Sequence, residues 1–231
     1  MSVDPRLVEQ RYQQDQQQRL RHLRQWQATG VLEIRSDKNN RRIRTEVQGQ
    51  GHEKAKVTLF GFMQQVAGIL LVDADKIQLV DPEKQQILVV PANASGLYHL
   101  IGVALEPDDL FASLLAQAAP LQGSDPEVAG GWLTRQGETV VLDPVRGVIR
   151  ERHGHSAEGS HYRAVYLWPE EGEENPLPLP QQVSIELQPG NTRIQFQARR
   201  WQLPEQSFAA AQFAARELYP DFVVEYPLQA K

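Results

Sequence analysis

The sequence predicts a mainly β, α+β fold in which one antiparallel sheet curves strongly around internal helices. Three observations predict it. Hydrophobic period two recurs in short runs along most of the chain. Tight turns join several of those runs, whereas parallel strands would need long crossovers. Helical period appears only near the start, in the middle and near the end. The inventory is nine to eleven short strands and two or three helices, with no βαβ alternation of a doubly wound sheet.

Residues 5–27 read as a helix, and Pro5 after Asp4 suits its first turn. Leu20, Leu23 and Trp26 fall at i, i+3 and i+6 and can lie on the body. The Gln-rich stretch before them has no apolar side and reads as a fraying start or a tether. From Thr29 the period becomes two: Val31, Ile43, Thr45 and Val47 alternate with charged residues, around a turn cluster at 37–40. Strands at about 54–61, 67–73, 76–81 and 86–90 form a meander with Asp-rich turns. Residues 97–118 return to helical period, with Leu110, Phe111, Leu114 and Leu115 on one side, Pro107 in the first turn and Pro120 as the stop. After a loop at 121–131, strands resume at 132–134, 139–142, 148–150 and 162–168. A loop at 169–180 precedes a hairpin, 183–187 and 194–198, around Pro189-Gly190-Asn191. Residues 205–218 read as an Ala-rich helix and 222–226 as a last strand.

Composition narrows the function. A chain of 231 residues can bury a core unaided. The absence of cysteine excludes disulfides, thiolate catalysis and Cys-ligated zinc. A net charge of −5 counts against nucleic acid as a partner. The charge is uneven: residues 1–60 hold 12 Lys/Arg against 7 Asp/Glu, and residues 61–231 hold 12 against 22. A basic face of this kind suits an acidic partner or an anionic membrane surface, or is a solvated surface. There is no apolar run of about 18 residues to span a membrane, and no apolar leader at the start. Dinucleotide, phosphate-loop, nucleophile-elbow and metalloprotease motifs are absent, so no cofactor is expected and catalysis is the minority reading. His153, His155 and His161 read as residues of a Gly/Ser-rich loop, with a zinc set and a hydrolase as the sharper alternative. Asp73, Asp75, Asp81 and Glu83 read as turn formers, with a carboxylate pair or a weak calcium site as the sharper alternatives.

The more informative features are apolar. Gly61-Phe62-Met63-Gln64-Gln65-Val66 joins two strands, where a polar connection is the norm. It either folds inward to fill the mouth of the sheet or protrudes to touch lipid. In helix 107–118, Ala112, Ala116 and Ala118 leave room beside the large residues, so sheet and helix can enclose an apolar cavity.

The order of elements resembles the LolA/LolB-like superfamily of bacterial lipoprotein carriers and receptors, nearer the outer-membrane receptor branch. Four stretches carry the likeness: Trp26, Gly30, Leu32 and Ile34; Leu59 through Asp81; Leu110-Phe111 and Leu114-Leu115 closing on Pro120; and Leu179-Pro180, Val183, Ile185, Gly190, Ile194 and Phe196 to Trp201. Together they span about 26–203. The resemblance implies an unclosed, strongly curved antiparallel β-barrel covered by internal helices, whose apolar interior holds acyl chains without breaking a bond. It implies lipid-binding residues in four places. These are Phe62, Met63 and Val66 at the loop; Ile69, Leu71, Leu79 and Leu88 on the meander; Leu110, Phe111, Leu114 and Leu115 on the helix; and Ile185, Phe196 and Trp201 on the last hairpin. By position, Met63 or Phe62 takes the receptor's part in releasing lipoprotein to the membrane.

The expected organisation is an N-terminal helix or tether at 1–25 and a single half-barrel domain at 26–231. That domain includes a C-terminal extension, 204–231, without a receptor counterpart. The receptor's lipidated cysteine is not in this sequence. The expected location is still the periplasmic face of the outer membrane, held by an N-terminal lipid outside this sequence. Expected partners are lipid or lipidated protein, and the membrane surface. The alternative is a scaffold whose basic face, Arg41, Arg42 and Arg44, binds a protein of an envelope complex.

Overall fold

A computed structural model describes residues 4–36, 40–122, 131–155, 159–170 and 179–227. The chain opens with helix α1 (Pro5–His22), capped by the Asp4 side chain, which accepts from the Arg6 amide. Six strands follow: β1 (Trp26–Arg35), β2 (Asn40–Gln50), β3 (Lys54–Phe60), β4 (Val66–Val72), β5 (Lys76–Asp81) and β6 (Gln86–Pro91). Helices α2 (Ala94–Ile101) and α3 (Pro107–Leu114) come next. Then come β7 (Gly131–Leu133), β8 (Thr139–Leu142), β9 (Ile149–His155), β10 (His161–Leu167), β11 (Gln182–Gln188) and β12 (Thr192–Gln202). A short helix α4 (Ala215–Leu218) and strand β13 (Val223–Glu225) end the described chain.

All thirteen strands form one sheet, in the order β13-β6-β5-β4-β3-β2-β1-β12-β11-β10-β9-β8-β7. β13 and β7 lie at opposite ends of that order, so the curved sheet stays unclosed. Every pairing is antiparallel except that of β13 with β6, which is parallel. The meander expected from tight turns is β3 to β6, displaced by at most one residue at any end. The expected loops at 121–131 and 169–180 and the turn at 37–40 fall largely outside the described residues.

Three expectations need correction. The first helix ends before Trp26, which is instead the first residue of β1, fully buried, its indole Nε1 donating to the Gly51 carbonyl at 2.7 Å. Leu20 is exposed. The buried side of α1 is Val8, Tyr12, Gln16 and Arg19, three of which carry polar groups. Those groups bond the chain just after α3: the Tyr12 hydroxyl donates to the Ala119 carbonyl at 2.7 Å, Gln16 Nε2 to Ala116 at 3.2 Å, and Arg19 Nη1 to Leu115 at 3.1 Å. Carbonyls leaving a helix lack partners within it, and α1 supplies them. A search for an apolar stripe misses a face built this way. Gly147 allows the close approach: its φ is +72°, and a Cβ there would lie 2.4 Å from Arg11 Cβ.

The second correction concerns the C-terminal extension. The Ala-rich stretch is broken into a 3₁₀ turn, Ala210–Phe213, and the four-residue α4. It packs on the outer face of the meander, where Ile69, Leu71, Val80 and Ile87 are buried together with Ala215. The third correction is the number of strands: thirteen are described.

Most of the core lies on the other face of the sheet, under α2 and α3. Among the described residues, no helix is long and apolar enough to cross a membrane.

Candidate functional site

β-Strand alternation sends Leu32 and Ile34 of β1, Thr45 and Val47 of β2, Val57 of β3 and Leu70 of β4 toward the interior. From the strands next to β1 in the order, Val183 and Ile185 of β11 and Ile194 and Phe196 of β12 point the same way. Ile101 and Val103, then Leu110, Phe111 and Leu114 of α3, cover them. These side chains enclose a cavity with about 70 Å³ of free space. Thr45 is its one polar lining residue among those described, and its hydroxyl donates to the Ile43 carbonyl at 3.3 Å. The lining therefore offers an occupant apolar surface and no charge.

Leu32, Ile34 and Ile101 are shared with a second space, a groove of about 390 Å³. Its floor is Leu32, Ile34, Ile43 and Leu59, and its other wall is the end of α2, Tyr98 to Gly102. Small-molecule sites usually measure about 300–1,000 Å³. The groove falls within that range and the cavity below it. A chain held fully inside therefore requires the covering helices to rise.

Leu59 lies one residue from the end of β3, which runs into the apolar turn. Phe62 and Met63 are each 85% exposed, so the turn protrudes and does not plug the sheet. Met63 and Gln64 hold φ values of +57° and +64°, a region that non-glycine residues seldom adopt. The Gly61 amide, donating to the Gln65 carbonyl at 2.9 Å, closes the turn.

The other side of α3 is polar. Arg152 of β9 is 3% exposed. Its Nε donates to Glu138 Oε1 at 2.9 Å, its Nη1 to Ser113 Oγ at 3.2 Å, and its Nη2 to Asp109 Oδ1 at 3.3 Å. The Tyr162 hydroxyl also donates to Glu138 Oε1, at 2.7 Å. Gly154 makes room for that ring, since a Cβ there would lie 2.5 Å from it. Burial raises the Asp109 carboxyl above the ordinary carboxylate range, against the pull of Arg152. Burial likewise raises the Tyr162 hydroxyl, which stays protonated and donates. This cluster fixes α3 to β9 and β10.

Of the residues named from sequence, Leu110, Phe111, Leu114, Ile185 and Phe196 meet at the cavity. Ile69 and Leu71 do not, because they face the C-terminal extension on the opposite side of the sheet. β4 is apolar on both faces since both are covered, so its alternation carries no direction; Leu70 is the residue that points inward. Leu115 is buried in the core beside the cavity. Leu79 packs on the edge of the same core, and Leu88 is its half-buried cross-strand partner. Trp201 packs on Trp26 and Phe196, at ring separations of 6.0 and 6.2 Å. Val66 is partly exposed beside the turn.

The histidines are strand residues, not loop residues. His155 and His161 are cross-strand neighbours with ring centroids 4.2 Å apart, and His153 lies 3.4 Å from Glu151. Residues 156–158 between them lie outside the described residues. No group of three or more potential metal ligands occurs among the described residues. Asp73 and Asp81 serve as turn caps, accepting from the Ala74 amide and from the Glu83 and Lys84 amides. These backbone donors lower the Asp81 pKa.

No family model matches the sequence, and no curated protein does either. Solved structures do. A domain from Vibrio parahaemolyticus assigned to outer-membrane lipoprotein sorting matches at TM-score 0.59 and 9% identity, over 90% of this chain and 97% of that one. A DUF1329 family protein from Desulfovibrio piger matches at TM-score 0.59 and 9% identity, over 92% of this chain and 98% of that one. A LolA superfamily protein from Nitrosomonas europaea matches at TM-score 0.54 and 9% identity, over 90% and 96%. At such identity the likeness is one of fold, and this chain has the LolA/LolB-like fold.

Proposed function

We propose that this protein binds lipid or lipidated protein in the bacterial cell envelope and assists lipoprotein localisation at the outer membrane. The observation that carries the reading is the apolar cavity, uncharged in its lining and sharing Leu32, Ile34 and Ile101 with a neighbouring groove. The lipoprotein-sorting assignment of the Vibrio domain supports the same role. The protein acts by transfer, without catalysis, at the periplasmic face of the outer membrane.

Each buried CH₂ contributes about 0.8 kcal/mol, so an acyl chain binds such a lining without directional contacts. The covering helices rise on the side that Leu110, Phe111 and Leu114 present to the sheet. Release then needs a competing apolar phase. The protruding Phe62 and Met63 reach into the membrane interface and offer one.

The test is titration with a single-chain fluorescent acyl probe, followed by transfer of a lipidated protein to vesicles. Saturable one-site binding is expected. Met63→Glu should leave probe binding and thermal stability unchanged and impair transfer. Absence of saturable binding overturns the proposal; unchanged transfer removes the turn from the mechanism.

A further inference from the structure

We infer that the groove selects amphiphiles with an anionic head, and that Arg41 is the residue that binds that head. The inference rests on the lipid-binding reading and adds a ligand class to it. On β2, odd-numbered residues face inward: Thr45 and Val47 line the cavity, and Arg41 and Ile43 line the groove. Arg41 pairs across the ladder with Ile34, so a guanidinium stands at the rim of an otherwise apolar floor. Its neighbours Arg42 and Arg44 alternate to the outer face.

The groove is thus graded. Leu32, Ile34 and Ile101 also line the cavity, while Arg41, the cross-strand neighbour of Ile34, and His99 are the exposed polar residues of the groove. Among the described residues, no acidic side chain lines it and Arg41 has no ion pair. An arginine beside apolar surface lays its stem along that surface and keeps its head in water. That position matches an amphiphile whose chain points into the cavity and whose phosphate or carboxylate stays at the mouth. A guanidinium binds either oxyanion through two parallel N–H donors. The basic balance of residues 1–60 favours approach of the same charge.

The experiment compares dodecanoate with 1-monododecanoylglycerol, which share an acyl chain and differ in head charge. Each is titrated below its aggregation concentration. The unmodified protein should bind dodecanoate about tenfold more tightly, the size of one charge-assisted hydrogen-bonded contact. Arg41→Gln should remove that preference by weakening dodecanoate alone, and Arg41→Lys should keep part of it. Arg42→Gln, one residue away on the other face, should keep all of it. Equal binding of both ligands by the unmodified protein overturns the inference and leaves the lipid-binding reading standing. So does a preference that survives Arg41→Gln or falls equally with Arg42→Gln. Failure to bind either ligand overturns the lipid-binding reading itself.

Discussion

Helix α3 divides the interior into two chemically different regions. On one side Leu110, Phe111 and Leu114 close an apolar cavity against β1, β2, β11 and β12. On the other, Asp109 and Ser113 bond Arg152 of β9, which also holds Glu138. Apolar contacts are non-directional, so the first side can separate and re-form at modest cost if a ligand replaces the lost contacts. Charged hydrogen bonds in a buried setting allow one geometry, and breaking one leaves an unpaired charge. One helix is thus held by charged hydrogen bonds along one side and by apolar contacts along the other.

The comparison breaks most easily at the polar side. Arg152→Met strands Glu138 and Asp109 in a buried site and should cost about 3–5 kcal/mol in chemical denaturation. A loss below about 1 kcal/mol would mean that the cluster does not anchor α3. Leu114→Ala probes the apolar side. It should cost about 2–5 kcal/mol, yet enlarge the cavity and tighten binding of a bulkier acyl probe; weaker binding of that probe would place the chain elsewhere. Tyr12→Phe removes the hydroxyl bond to Ala119 and should cost about 1 kcal/mol, read from the denaturation midpoint.

The smallest effect is a pH dependence. The folded-state pKa of Asp109 is raised, chiefly by burial. Its contribution to stability is therefore fully present below the unfolded carboxylate pKa and is lost as pH rises through the folded value. Asp109→Asn does not titrate. The stability of the variant relative to the unmodified protein should improve from pH 3 toward pH 7, measured as a shift in Tm. A difference that stays flat over that window would place Asp109 in a more solvated site.

Much of the fold was legible because local chemistry sets it. Asp73 to Asp75 and Asp81 to Glu83 sit between short apolar-rich runs, and β3 to β6 follow almost residue for residue. The cavity was partly legible. Leu110, Phe111 and Leu114 at helical spacing, and Ile185 and Phe196 on clean alternations, were readable as inward residues. Ile69 and Leu71 were misread because a strand covered on both faces shows no polar side. The anchor on α3 was not legible at all. Arg152 meets Glu138, Ser113 and Asp109 across 14, 39 and 43 residues of sequence; the pairing of β8 with β9 brings Glu138 beside it, and the packing of α3 on the sheet brings the other two.

The sequence alone determined the strand-rich architecture, the absence of thiol chemistry and the apolar turn at Phe62 and Met63, since each depends on residue type and spacing within a few positions. The tertiary structure decided which face of each strand looks inward. It decided that the turn points outward, that α1 docks through Tyr12, Gln16 and Arg19, and that Arg41 lines the groove. Those facts depend on what covers each surface, and burial of one segment by a distant one has no local signature.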